Sequence, residues 1–305
     1  MSGTTGTTGT TATTGTAGTI EHVLVVGAGA MGRQIAMTAA LAGCRTTVQD
    51  ISADMLGAAR AELEAWAEGR VAKGRLDRDA ADGALGRLAW SPDLPRAAAT
   101  ADLVIEAATE RLPVKTEIFT ALGRHAPARA ILVTNSSTLG SSKVADVTGR
   151  PEKVCNLHFF NPALVMECVE VVRHERTSED TVETVMAFAR RLGKRPVLLS
   201  REVPGFIANR LMGAVQREAL ALAEAGVASL EDIDTAARTA LGHPLGPFEL
   251  MDLVGLDVVA FIAEAIHAET GDEADRPDPA VAALVARGRL GRKSGAGFYD
   301  YAGSS

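Results

Sequence analysis

His158 and Glu170 stand twelve residues apart, each inside an apolar run: Leu157-His158-Phe159-Phe160-Asn161-Pro162 and Cys168-Val169-Glu170-Val171-Val172. A carboxylate in such a run is expensive to bury without a partner. A histidine suits it, because the carboxylate fixes the imidazole tautomer and stabilises the imidazolium. Taken singly, each residue also fits a satisfied core or strand-edge position. Together with the hydroxyl of Ser137, in Asn135-Ser136-Ser137-Thr138, they are the side chains needed to take a proton from a secondary alcohol and hold its oxygen.

Removing the hydride of such an alcohol needs an acceptor, and the beginning of the chain offers a place for one. The apolar run Ile20–Val26 is followed by Gly27-Ala28-Gly29-Ala30-Met31-Gly32, then by helical spacing through Leu41 and a second strand, Arg45–Gln49, ending at Asp50. In this strand–turn–helix–strand context each glycine has its own task. Gly27 permits the tight turn, Gly29 lets backbone approach a pyrophosphate, and Gly32 allows close helix–strand packing. The N–H groups around Ala30 and Met31 open a helix whose positive end suits phosphate. Asp50 is placed to accept both ribose hydroxyls and to repel the extra phosphate of NADP, so the spacing points to NAD.

Further elements must position these groups. Strands are expected at Asp102–Ala107, Ala130–Thr134, Lys153–His158 and Cys168–Val172, with helices at Ser52–Lys73, Val114–Leu122 and Glu179–Leu192. The alternation predicts an α/β fold, a Rossmann-like doubly wound sheet, mostly parallel, with helices on both faces. After Pro204-Gly205 the pattern is helical only: Phe206–Ala225, Leu230–Leu241 and Pro247–Ala268. The expected organisation is therefore a tail over 1–19, a nucleotide-binding domain over 20–205 and an all-helical domain over 206–305. Helices this rich in Ala, Leu, Val and Ile need partners, which predicts a homodimer through the last domain.

Composition narrows the function classes. Of 305 residues 47% are hydrophobic, enough for a packed core, and the net charge of −7 argues against a nucleic-acid partner. Three cysteines without CxxC spacing, Cys44, Cys155 and Cys168, argue for a reducing compartment, taken as the cytoplasm, and against a metal knuckle. No run approaches the roughly 20 apolar residues of a membrane helix. The segment 1–19, almost wholly Thr, Gly, Ala and Ser, is expected to be disordered. It has neither the apolar centre of a signal peptide nor the arginines of a transit peptide.

On the motifs Gly27–Gly32, Leu157–Pro162, Pro204-Gly205-Phe206-Ile207-Ala208-Asn209-Arg210 and Gly291-Arg292-Lys293-Ser294-Gly295-Ala296-Gly297-Phe298-Tyr299, the chain resembles the short-chain 3-hydroxyacyl-CoA dehydrogenases. It is especially similar to the bacterial 3-hydroxybutyryl-CoA dehydrogenases, and the likeness runs from Ile20 to Tyr301. It implies oxidation of a (3S)-3-hydroxyacyl-CoA, with 3-hydroxybutyryl-CoA the expected substrate. By the same likeness His158 is the general base and Glu170 its orienting partner, while Ser137 bonds the reacting oxygen and Asn209 helps hold the substrate. Cofactor contacts are implied for Asp50, Glu110, Lys115, Ser137, Asn161 and Lys293. Arg70, Lys73 and Arg75 are implied to meet coenzyme A phosphates, although a solvated helix end explains the same charges.

The chain departs from its relatives at two places. The serine loop reads Asn135-Ser136-Ser137-Thr138-Leu139 where Asn-Thr-Ser-Ser-Leu is common, and Glu167-Cys168 stands where Lys-Leu is usual. The second reverses a charge beside the Glu170 strand. It is either surface drift or a sign of another carrier, such as a glyceryl or other hydroxyacyl group on an acyl carrier protein. A relative that binds NAD without turnover is the remaining alternative, and the intact Ser137, His158, Glu170 and Asn209 set speaks against it.

Overall fold

The computed structural model of the protein describes residues 19–301, so the segment 1–19 lies, but for Thr19, outside the described residues. The chain runs β1 (His22–Val26), α1 (Ala30–Leu41), β2 (Arg45–Gln49), α2 (Ala53–Ala72), α3 (Arg78–Gly86), β3 (Leu88–Ser91), α4 (Leu94–Ala98) and β4 (Leu103–Glu106). It continues through α5 (Leu112–His125), β5 (Ile131–Thr134), α6 (Ser142–Ala145), β6 (Val154–Phe159), β7 (Cys168–Val172), α7 (Glu179–Arg191) and β8 (Arg195–Leu199). Five helices follow: α8 (Ala208–Glu224), α9 (Leu230–Ala240), α10 (Pro247–Val254), α11 (Leu256–Thr270) and α12 (Pro279–Ala286).

The eight strands form one sheet in the order β3-β2-β1-β4-β5-β6-β7-β8. Neighbours from β3 to β6 are parallel, β6 and β7 are antiparallel, and β8 runs parallel to β7. The expected Rossmann-like fold with a helical C-terminal part is what forms. Strand order reverses between β1 and β4, and the crevice at such a switch point, beyond the carboxyl ends of the strands, is where ligands bind in open sheets.

Central strands are apolar on both faces because helices cover both. Val23, Val25, Leu103, Ile105, Ile131 and Val133 enter one core together with Ile35 and Ala36 of α1 and Phe188 of α7. The alternating residues Leu24, Val26, Val104 and Leu132 enter the other with Phe119 and Leu122 of α5. The alternation holds in β6 and β7 on the first face only, where Cys155, Leu157, Phe159, Val169 and Val171 are apolar. On the second face the sequence places Asn156, His158 and Glu170, all buried. Side chains with period two thus confine the polar groups to one face at one end of the sheet.

Two edge strands, β3 and β8, were not expected from the sequence. Both are short and partly exposed, and β8 carries Pro196, a residue that sheets tolerate at their edges. The stretch expected as one helix from Pro247 to Ala268 is two, α10 and α11, broken at Gly255 with φ of 101°. α8 to α12, with Phe298 and Tyr299 from the segment after them, close around Phe248, Met251, Leu256 and Val281.

Candidate active site

His158 and Glu170 are register partners across the antiparallel β6–β7 seam. Pairing brings directly opposed side chains within reach of each other, and His158 Nδ1 lies 2.9 Å from Glu170 Oε2. The other carboxylate oxygen, Oε1, accepts the backbone N–H groups of Ile207 at 3.0 Å and Ala208 at 2.9 Å. These open α8, whose N-cap has no side-chain hydrogen bond of its own. Glu170 therefore caps a helix from another strand, meeting free donors and the positive end of the dipole. Burial alone would push its carboxyl up; the His158 ring and the two backbone donors outweigh it and hold the carboxyl below its ordinary range.

The imidazole is 5% exposed and walled by aromatic rings, Phe160 at 4.6 Å and Phe206 at 5.5 Å between centroids. Phe206 sits in the left-handed region at φ of 52°, directly after Gly205 at 76°. For a bulky residue that conformation is strained, and it is spent on the wall beside His158. An ionised Glu170 can only accept, so Nδ1 donates to it. The neutral ring then keeps the Nε2 lone pair free as a base.

Ser137 follows β5, on the neighbouring side of β6. Its N–H and Oγ both donate to Glu110 Oε1, at 2.9 and 3.2 Å, and Ser136 Oγ donates to Glu110 Oε2 at 2.6 Å. Lys115 is buried, its Nζ 2.7 Å from Glu106 Oε2 and 3.6 Å from Glu110 Oε2. Thr134 Oγ1 donates to the same Glu106 oxygen at 2.7 Å, and Ala108 N–H donates to the other at 2.9 Å. A single lysine thus serves two carboxylates under the switch point. Glu106, fully buried at the end of β4, was missed by the sequence reading. Its signal was available: like Glu170, it is a carboxylate placed within an apolar strand.

The glycine turn fits a dinucleotide. Gly27 takes φ of 104°, and a Cβ there would lie 2.6 Å from Ala107 O; at Gly32 it would lie 1.9 Å from Gly27 O. Around Gly29 the same construction meets nothing within 4 Å. Packing therefore closes on two glycines and leaves open space at the third, where α1 begins with no side-chain cap. Ala30 is exposed and Met31 half-buried at that helix start. Asp50 follows β2, its Oδ2 accepting Ala28 N–H at 2.9 Å and its Oδ1 accepting Ser52 N–H at 3.0 Å.

The remaining expected residues are more scattered. Asn209 is buried in the first turn of α8, one residue beyond the N–H donors to Glu170, and Asn161 is exposed just past β6. Lys293 stays with the helical half, its Nζ 2.5 Å from Asp257 Oδ1. Arg70 lies over the Trp66 ring at 5.8 Å, with Lys73 and Arg75 exposed beyond it. Glu167 pairs with Arg195 at 3.3 Å, both largely exposed. Among the described residues no helix is long and apolar enough to cross a membrane, and no three His, Cys, Asp or Glu side chains gather to hold a metal.

Residues 22–203 match the family described as 3-hydroxyacyl-CoA dehydrogenase, NAD binding domain, and residues 205–301 match 3-hydroxyacyl-CoA dehydrogenase, C-terminal domain. The chain is 39% identical to the probable 3-hydroxybutyryl-CoA dehydrogenase of Bacillus subtilis, over 92% of this chain and 98% of that one. It is likewise 39% identical to the mitochondrial hydroxyacyl-coenzyme A dehydrogenase of Homo sapiens, over 92% and 91%. The crystal structure of (S)-3-hydroxybutyryl-CoA dehydrogenase from Ralstonia eutropha superposes with a TM-score of 0.87 at 34% identity, covering 93% of this chain and 99% of the other.

Proposed function

The chain belongs to the 3-hydroxyacyl-CoA dehydrogenase family, and on that basis we propose that it interconverts a short (3S)-3-hydroxyacyl-CoA, 3-hydroxybutyryl-CoA foremost, and its 3-keto form with NAD. The observation that carries this reading is the His158–Glu170 pair, tied to the first N–H groups of α8 and lying one strand from Ser137.

Nε2 of His158 takes the 3-hydroxyl proton, and Glu170 stabilises the imidazolium that results. In the reverse direction the same imidazolium returns the proton. Ser137 Oγ bonds the reacting oxygen and Asn209 holds the thioester side of the substrate. Gly27–Gly32 and Asp50 would hold NAD, which would supply the hydride acceptor when bound. Glu110, Lys115, Asn161 and Lys293 complete the cofactor contacts.

Coenzyme A is assigned to the end of α2. Leu164, just past the His158 strand, packs in one cluster with Trp66, and Arg70 lies over that ring. A thioester arm leaving His158 has this apolar track leading to the cations Arg70, Lys73 and Arg75, which suit its phosphates. The Glu167–Arg195 pair is a surface contact and gives no support to a carrier-protein substrate. A homodimer through the helical half is supported by the exposed apolar side chains of Leu211, Val215 and Phe261, and a cytoplasmic setting by three unpaired cysteines.

The test is NADH absorbance on adding acetoacetyl-CoA. Rapid decay, with NADPH a poor substitute, is the expected result. No decay by folded, NADH-binding protein overturns the coenzyme A substrate and turns attention to a carrier-bound one.

A further inference from the structure

Asn156 occupies the position two residues before His158 on the same face of β6, and it is fully buried. No step of the reaction described above uses it. Its side chain nevertheless makes three hydrogen bonds, all to the segment that carries Ser137. Oδ1 accepts the N–H of Ser141 at 2.8 Å, while Nδ2 donates to Leu139 O at 3.1 Å and to Ser136 O at 3.4 Å.

The far side of the same segment is held by Glu202, from the strap that joins β8 to α8. Its Oε1 accepts Ser141 Oγ and Ser142 N–H, each at 2.9 Å, and its Oε2 accepts Ser142 Oγ at 2.5 Å. Gly140 leaves room for this approach, since a Cβ there would lie 2.5 Å from Glu202 Oε2. At the β5 end, Asn135 Oδ1 accepts the N–H of Phe159, the residue after His158. Residues 135–142 are thus sewn to β6 on both sides of His158 and clamped from outside by Glu202.

We propose that Asn156 is a positioning residue for Ser137, with Glu202 as its second clamp: the pair sets the place of the serine hydroxyl relative to the His158 imidazole. The physical reason is specific. Loops move more than the elements they join, yet Ser137 must keep its hydroxyl within a fraction of an ångström of the position from which it bonds the oxygen that His158 is also addressing. A misplacement of about 1 Å is enough to lose about a hundredfold in rate. An amide is the side chain that fastens such a loop, because it offers both a donor and an acceptor from one rigid plane. Its neighbour on the strand is the base itself, so loop and base share one beam.

This inference rests on Ser137 bonding the reacting oxygen, and a double-mutant cycle separates the two ideas. Turnover of acetoacetyl-CoA with NADH is measured for Asn156→Ala, Glu202→Gln and Ser137→Ala, and for each of the first two combined with the third. NADH affinity is followed by fluorescence as a check on folding and on the cofactor half of the site. Ser137→Ala is expected to lose about 10²-fold in kcat, as for a lost donor to a reacting oxygen. Asn156→Ala is expected to lose at least about tenfold in kcat with NADH affinity retained, and to have almost no further effect once Ser137 is Ala. Glu202→Gln, at a half-exposed position that puts little of the fold at risk, is expected to show the same non-additivity on a smaller scale. Equal effects of Asn156→Ala and Glu202→Gln with and without the Ser137 hydroxyl would mean that they act only through general stability, and the positioning role falls. Wild-type turnover in Ser137→Ala overturns the reading of Ser137 and this inference with it.

Discussion

Glu170 lies between His158 and the beginning of α8, one oxygen on the imidazole at 2.9 Å and the other on the N–H groups of Ile207 and Ala208. The carboxylate is thereby fully engaged, ionised and fixed, and the imidazole has a single orientation. Removing either partner has separable consequences.

Replacing His158 by Ala removes the proposed base and leaves the glycine turn untouched. Turnover is expected to fall at least about 10²-fold, the low end for a lost acid–base group, while NADH titration gives an unchanged affinity. Wild-type-like turnover in this variant would falsify the proposed mechanism.

For Glu170→Ala the expected change includes stability as well as rate. The substitution leaves a buried ring nitrogen and two helix-opening N–H groups without their acceptor, a loss of about 1–3 kcal/mol for each that water does not reach. The folded carboxyl titrates below its ordinary value, since the His158 ring and backbone donors outweigh burial. Its stabilisation is therefore complete above the unfolded pKa of about 4.3 and is lost as pH falls through the lower folded value. Urea unfolding at about pH 4.3 and at progressively lower pH should show the gap between wild type and variant closing. A gap that widens over that range would contradict this sign.

The glycine turn offers a contrast within six residues. Gly32→Ala sets a methyl 1.9 Å from Gly27 O, so both thermal stability and NADH affinity should drop. Gly29→Ala meets no protein atom within 4 Å. It should leave the melting temperature near wild type and weaken NADH binding, because the methyl occupies the space a pyrophosphate needs. Unchanged affinity in Gly29→Ala would move the phosphates elsewhere.

Cofactor choice should follow Asp50. Its Oδ2 also anchors Ala28 N–H at 2.9 Å, so Asp50→Ala weakens both cofactors. The ratio of kcat/KM for NADH over NADPH isolates its effect on the ribose side. That ratio is expected to fall at least about tenfold, or about 1.4 kcal/mol. A constant ratio would remove Asp50 from cofactor selection.

Much of this site was legible in the chain because its signals are local. Gly27–Gly32 is a contiguous turn, and His158 and Glu170 each interrupt an apolar strand with a group that demands a partner. Glu106 carried the same signal at the end of β4 and was passed over, since the strand was read only for its apolar side chains. Asn156 gave no such sign: an amide has no charge to make its burial conspicuous, and its partners lie 15 to 20 residues away in sequence. β3 and β8 escaped for a related reason, because half-exposed edge strands of four and five residues lack a regular pattern. The division of α10 from α11 depends on one backbone angle at Gly255, which residue type permits but does not require.

The helix that Glu170 caps begins after Gly205, as does the Phe206 ring beside the imidazole, whereas His158 and Glu170 themselves come before it. Separating the chain at that point would divide recognition from reaction: the first part retains a cradle for the dinucleotide, while its histidine faces a carboxylate that has lost half its anchorage. Recombination of halves between relatives must carry Ile207 and Ala208 along with the strand that bears Glu170. The unit of inheritance for this chemistry is the junction, more than either part it joins.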